Sequence, residues 1–256
     1  MRIWNEVGWI EGAEQAAYLP DVLAVGHCLT ATVAGEAECM VHITPGSICL
    51  GAQSLPMSAV TAVTTSRVGR RLGFAQRLTA LQLARGAQEG AAVAVLGMFE
   101  QGFYDRVGFG SGSYQHFFAF DPATLLVDVP PRPPARLTKQ HWREVHGALC
   151  QRLKNHGACV LDPPEFIKAD LAWSTNGFGL GYFDAGELTH FVWLRGEPEY
   201  GPYEVQYIAY RDRAQLLELL ALLKSLSDQV STILIEEPPH LQLQALPPLV
   251  QEPWPS

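Results

Sequence analysis

From Met57 to Thr65 the residues alternate with a period of two, β-branched side chains standing on both faces, which predicts a strand over 56–65. The period then lengthens. Leu72, Ala75, Leu78, Leu81, Leu83 and Ala84 recur mostly at threes, predicting one buried stripe on a helix over 69–88. Shorter strands are expected over 21–33, 36–43 and 46–51 on the N-terminal side. Beyond the helix, the apolar run at 92–98 predicts a buried strand, followed by a short helix at 100–107 and a strand at 113–121.

Four prolines within Pro130-Pro131-Arg132-Pro133-Pro134 exclude helix and disfavour a paired strand, so this piece is expected to run extended as a stiff linker. The division it suggests is a first domain over 1–128, a linker over 129–135 and a second domain over 136–256. In the second part a helix is predicted over 138–155, with Trp142, Val145, Leu149 and Leu153 inward. Strands are expected near 157–161, 169–174, 177–184, 187–195 and 203–210, and Asp184-Ala185-Gly186 reads as a hairpin turn. A leucine-rich helix over 212–228 and a strand over 230–236 complete it. The series strand–helix–strand thus occurs twice, the second time without glycine in its turn, Tyr210-Arg211-Asp212-Arg213.

The turn of the first series carries chemistry. Arg70-Arg71-Leu72-Gly73-Phe74-Ala75 sets two guanidinium groups beside a helix start, where unpaired amides and the helix dipole favour an anion such as a pyrophosphate. Gly73 allows the backbone to come close, and Ala75 adds little bulk. No Walker loop and no Gly-x-Gly-x-x-Gly fingerprint accompanies it.

Taken with Ala62-Val63-Thr64-Thr65 before the turn and Phe103-Tyr104-Asp105-Arg106-Val107-Gly108-Phe109-Gly110 after the next strand, the order resembles the GNAT superfamily of acyl-CoA-dependent N-acyltransferases. Arg70-x-x-Gly73-x-Ala75 matches that superfamily's Gln/Arg-x-x-Gly-x-Gly/Ala signature. The segment around Tyr104 is similar to the Eis-like branch, named for enhanced intracellular survival. The resemblance implies an α/β (α+β) fold of tandem GNAT-like domains, each a mixed central sheet flanked by helices. The second copy is expected not to bind the cofactor, because Asp212 places negative charge where a phosphate would sit. Family members continue into a sterol-carrier-like domain whose terminal carboxylate enters the active site, and that role is not carried over to Ser256.

The activity implied is transfer of acetyl from acetyl-CoA to a primary amine of a small molecule or protein. Such chemistry needs an anchored thioester, a donor for its carbonyl oxygen, a neutral amine and an acid for the leaving thiolate. Anchoring falls to Arg70, Arg71, Gly73, Phe74 and Ala75, while Val63, Thr64 and Thr65 line the pantetheine. Tyr104 is the candidate acid, and the plain alternative for it is a core tyrosine. Glu100 is either an amine-attracting carboxylate or an exposed first-turn residue. A non-catalytic GNAT-like module, binding CoA or nothing, is the competing reading.

Composition narrows the partners. With 18 basic against 26 acidic residues the formal charge is −8, which argues against a general nucleic-acid or anionic-membrane binder. No run reaches the roughly 20 apolar residues that cross a bilayer, and the start lacks a basic-then-apolar leader, so a cytoplasmic location is expected. Five scattered cysteines without Cys-x-x-Cys suggest reduced thiols. His141 and His146 stand five apart, off a common helical face, and no His-Glu-x-x-His occurs, so no metal is expected. A homo-oligomer remains open.

Overall fold

The structure is a computed structural model that describes residues 2–10, 12–97, 102–112, 116–196, 200–236, 238 and 243. It is a mixed α/β fold with two sheets, each flanked by helices. Three short helices come first, α1 (Arg2–Glu6), α2 (Gly12–Ala16) and α3 (Leu19–Ala24), followed by β1 (His27–Val33), β2 (Glu36–Leu50) and β3 (Gln53–Thr65). Helix α4 (Phe74–Gln88) leads to β4 (Val93–Val95), a 3-10 turn at Tyr104–Val107 and β5 (Phe117–Phe120). Then come β6 (Ala135–Leu137), α5 (Trp142–Gln151), β7 (Cys159–Leu161) and α6 (Glu165–Trp173). The chain closes with β8 (Phe178–Asp184), β9 (Glu187–Gly196), β10 (Tyr203–Ala209), α7 (Arg213–Lys224) and β11 (Ile233–Glu236).

The compact units do not divide at the proline run. One comprises Met1–Ser113 with Asn155–Trp173, the other Tyr114–Lys154 with Ser174–Ser256. The difference from a 1–128 domain has a hydrogen-bonding cause. Strand β5 pairs antiparallel with β11, and β7 pairs antiparallel with β2, so each edge strand joins the sheet built mainly by the other half of the sequence. Arg132, inside the proline run, is tied down as well. Its guanidinium grips Glu218 of α7 at 2.6 and 3.2 Å and lies 4.4 Å from the centre of the Tyr182 ring.

In the first unit β1, β2 and β3 run antiparallel and β3 pairs parallel with β4, with α4 as the crossover. Strand β2 runs unbroken through Pro45-Gly46, where two shorter strands are predicted. Pro45 offers its carbonyl to the Asp162 amide at 3.1 Å, and β7 crosses Gly46 too closely to admit a side chain. One face of this sheet packs Cys39, Val41, Ile43 and Val60 against Leu78 of α4. The other packs Met40 and Ala62 against Trp4, Ile10 and Leu19.

Helix α4 buries a stripe different from the predicted one. Leu72 and Leu81 are more than half exposed, whereas Thr79, Gln82 and Gly86 are buried. Gln82 earns its place by donating to the carbonyls of His27 (2.5 Å) and Val41 (2.9 Å), so a polar side chain satisfies two strand carbonyls, one in β1 and one in β2. The strand predicted at 169–174 is helical, as part of α6. The Pro164 carbonyl accepts the first helical bond from the Lys168 amide, and Ala169 and Leu171 face inward. The strand predicted from 21 begins only at His27, because Leu19–Ala24 forms α3.

The second unit orders its strands β5-β11-β10-β9-β8-β6, with α7 crossing between the parallel pair β10 and β11. The Leu216, Leu219, Leu220, Leu222 and Leu223 side chains are core, as their spacing predicts. Gly179 and Gly181 are places of close approach: a Cβ at Gly179 would stand 2.6 Å from the Trp193 ring. The hairpin glycine Gly186, by contrast, has a positive φ of 86°.

Candidate active site

The basic turn between β3 and α4 is held from beneath. Ser66 donates its hydroxyl to the buried Glu38 carboxylate and its amide to the Glu38 carbonyl, while Arg2 reaches the same carboxylate at 2.9 Å. The Ser66 hydroxyl, foremost, and Arg2 hold the Glu38 pKa below the usual carboxylate range. Amides of Arg67 and Gly69 bond to Glu6 and to the Ser66 hydroxyl. The next amides are different. Those from Arg70 to Gln76 have no acceptor among the described residues.

The backbone there is bent for that purpose. Arg71 has φ 62° and Gly73, which precedes the first helical residue of α4, has φ 74°, both left-handed. A left-handed arginine costs about 1–2 kcal/mol, and turns of this kind make concave arrays of amides that suit anions. Among the described residues no side chain caps α4 and a Cβ at Gly73 would meet nothing, and Arg70 and Arg71 are exposed. Uncapped amides, the helix dipole and two free-standing guanidinium groups fit a diphosphate.

The matching place in the second unit is already filled. Asp212 accepts from the Gln215 amide at 2.9 Å and so caps α7 with its own carboxylate.

Strand β3 supplies an open edge. It registers with β4 only at Met57–Val93, Ser58–Ala94 and Ala59–Val95, whereas it stays paired with β2 out to Thr65. From Val60 to Thr65, alternate main-chain groups of β3 therefore face a side without a partner strand among the described residues, where an extended amide chain can add its own bonds. Val63 faces the α4 side. Thr64 faces the other, and its buried hydroxyl has no partner among the described residues.

Tyr104 is buried in its 3-10 turn, its ring edge-on to Phe103 (5.0 Å) and Phe109 (5.9 Å). Phe109 packs on the same apolar cluster as Val63, Phe74 and Ala75. The structure thus gathers the strand, the helix start and the Tyr104 segment around one cluster. Glu100 lies outside the described residues.

Sequence reasoning missed the other face. Pairing of β2 with β3 skips a residue between His42–Ala62 and Ile43–Val60, so Thr61 is a bulge residue. His42 Nδ1 and Thr61 Oγ1 lie 2.7 Å apart, and burial pushes the imidazole pKa down to about 4. Both residues, with Ala62, floor a cavity of about 330 Å³. Its walls are Trp4, Trp9, Phe166 and Trp173, and Asp170 stands at its exposed edge. The Trp4-to-Trp9 spacing and the unexplained histidine in β2 were the available signals; the Phe166 and Trp173 contribution was hidden by reading residues 169–174 as strand.

Comparison with known proteins bears on this geometry. Residues 3–112 match the family model of the acetyltransferase (GNAT) domain. The fold is similar to Eis1 from Mycobacterium abscessus, at TM-score 0.73 and 20% identity, covering 96% of this chain and 64% of that one. A GCN5-related N-acetyltransferase from Anabaena variabilis ATCC 29413 superposes at TM-score 0.76 and 13% identity, covering 97% and 66%. A conserved protein of unknown function from Enterococcus faecalis V583 gives TM-score 0.75 at 16% identity, covering 91% and 60%. The chain spans about three fifths of the length of these structures. No curated protein matches it.

Proposed function

From the premise that residues 3–112 are a GNAT acetyltransferase domain, we propose that the chain transfers acetyl from acetyl-CoA to a primary amine of a small molecule or protein. The single observation that carries this is the row of amides from Arg70 to Gln76, at a helix start, that have no acceptor and no side-chain cap among the described residues. Acetyl-CoA supplies the acetyl group as a thioester. The chain's own residues do the rest.

The 70–76 amides, with Arg70 and Arg71, bind the diphosphate. Val63, Thr64 and Thr65 orient the pantetheine by extending β3's hydrogen bonding on its open side. Main-chain donors near the Thr61 bulge stabilise negative charge on the thioester oxygen. The amine nitrogen bonds to the carbonyl carbon as the carbon–sulfur bond breaks, Tyr104 gives a proton to the thiolate, and the amine's proton leaves to water. A phenol with a reference pKa near 10 is a suitable donor to a thiolate whose acid has a pKa of roughly 8.5. The second unit, with Asp212 in the place of an anion, serves no cofactor. Cytoplasmic location, no nucleic-acid or membrane partner, and assembly with copies of itself remain parts of the reading that the negative charge and family likeness support.

Two measurements test it. Acetyl-CoA is expected to raise the unfolding midpoint in a saturable way. Free-thiol release across a panel of amines is expected to exceed the amine-free rate, with Tyr104→Phe lowering kcat at least about tenfold. Binding without thiol release for any amine would favour the non-catalytic CoA-binding module instead. Absence of both would overturn either reading.

A further inference from the structure

Thr61 and Ala62 both line the cavity, although successive residues of a regular strand face opposite sides. The bulge is the reason. The skipped pairing between His42–Ala62 and Ile43–Val60 leaves Thr61 out of the ladder and turns its side chain toward the chamber. A half-buried hydroxyl therefore stands beneath walls formed by Trp4, Trp9, Phe166 and Trp173.

What that hydroxyl offers is set by where its single proton goes. Thr61 Oγ1 lies 2.7 Å from His42 Nδ1 and 3.1 Å from Thr44 Oγ1, while the His42 carbonyl, at 3.5 Å, is too far to compete. His42 and Thr44 are both buried. The neutral imidazole carries one proton, on Nδ1 or on Nε2. Nε2 faces the end of α3: a Cβ at Gly26 would stand 2.9 Å from it, and the Leu23 backbone favours a proton on the ring. With the proton on Nδ1, Nε2 would turn a bare lone pair that way and find no donor among the described residues. The proton therefore sits on Nε2, Nδ1 is an acceptor, and Thr61 donates to it. Thr44 is then the donor of the other pair and gives its proton to Thr61 Oγ1. Both hydroxyl protons are committed, so toward the cavity Thr61 accepts a hydrogen bond and has none to give. Burial holds the ring neutral, its pKa pushed down to about 4, which keeps this polarity in place at pH 7.

We propose that Thr61 reads the head group of the cavity's ligand by accepting an N–H or O–H at the floor, with His42 as the positioning residue that makes it an acceptor. A head group with acceptors alone, such as an ether, meets an oxygen without a proton for it. For an amine the polarity has a chemical consequence. A donating hydroxyl would occupy the nitrogen lone pair, whereas an accepting one holds an N–H and leaves the pair free to attack a carbonyl carbon. That this N–H belongs to the amine to be acetylated rests on the transferase reading, since Thr61 and Ala62 belong both to the cavity and to the open stretch of β3.

The test uses the full chain without acetyl-CoA and follows intrinsic tryptophan fluorescence, because three indoles stand in the walls. The probes are 2-phenylethanol and its methyl ether, both uncharged, so that no carboxylate enters the comparison. The alcohol is expected to bind saturably and at least about fivefold more tightly than the ether. Thr61→Ser is expected to keep that preference and Thr61→Val to erase it. His42→Phe, which returns the Thr61 proton to the cavity, is expected to lower it toward one. Equal binding of the two probes by the parent, or no saturable change with the alcohol, would overturn the inference without any variant. A preference that survives Thr61→Val would overturn it too, and one unchanged in folded His42→Phe would remove His42 from it. Thiol release to amines with equal binding of the probes would sink this assignment and leave the transferase standing. The probe preference with no thiol release from any amine would keep the assignment and sink the transferase.

Discussion

His42 Nδ1 and Thr61 Oγ1 lie 2.7 Å apart across β2 and β3, at the point where the pairing of the two strands skips a residue. The bond places a titratable ring with no solvent exposure directly against the irregular strand that floors the cavity. Burial favours the neutral ring, so the unfolded chain takes up the proton first as pH falls.

That linkage has a sign and a window. With a folded pKa of about 4 against 6.5 unfolded, the contribution of His42 is whole above pH 6.5 and is lost as pH falls toward 4. Urea unfolding at pH 7.5 and 4.5 is expected to show about 2–3 kcal/mol of difference from this group. His42→Asn should flatten the slope over that interval. Lowered carboxylates such as Glu38 add their own loss at lower pH, in parent and variant alike.

Replacing Arg70 and Arg71 together by Ala is expected to weaken acetyl-CoA about tenfold or more and to reduce the salt dependence of binding. Calorimetric titration at two ionic strengths checks this. Unchanged affinity would remove the turn from the binding site.

Arg71 offers a sharper separation, because its backbone is left-handed while its side chain is exposed. Arg71→Gly relieves the conformational cost and is expected to hold or raise stability by up to about 1 kcal/mol. The same change should weaken acetyl-CoA about fivefold, since one exposed charge is worth a fraction of a kcal/mol to about 1 kcal/mol. Urea midpoints and acetyl-CoA titration on one preparation give both numbers.

Asp212→Ala is expected to cost about 1 kcal/mol through loss of the α7 cap, read as a lower unfolding midpoint. Acetyl-CoA affinity should stay within twofold of the parent. A larger change would give the second unit a part in binding that its own carboxylate argues against.

Much of the fold was legible because local chemistry decided it. The alternation at 57–65 and the glycine in the turn lead to β3 and the start of α4 without help from distant residues. The leucines of α7 mark a buried helix by their spacing alone. What was not legible depends on partners far along the chain. Nothing local says that Gln82 is buried, because its value lies in two carbonyls from β1 and β2. Nothing near Pro45 says that β2 continues, because β7 supplies the reason about 115 residues later. Residues 169–173, a stretch of five too short to reveal a period, turn on Pro164 and on packing with α2 and α3.

The site divides in the same way. The basic turn before α4 is a local object, and its place between strand and helix was readable from its own residues. The aromatic cavity was not, since its walls come from α1, the segment after it and α6, which only folding brings together.

The interleaved path of the chain, in which 155–173 complete the first unit and 114–154 belong to the second, has a consequence for how this protein can be taken apart. A protease nick at the proline stretch would strip the N-terminal fragment of a sheet edge, of Phe166 and of Trp173. The C-terminal fragment would lose the strand that borders β11. No one scission releases a whole first unit, so a recombination event that moved only residues 1–128 into another gene would carry the basic turn and most of the cavity's lining but leave Phe166, Asp170 and Trp173 behind.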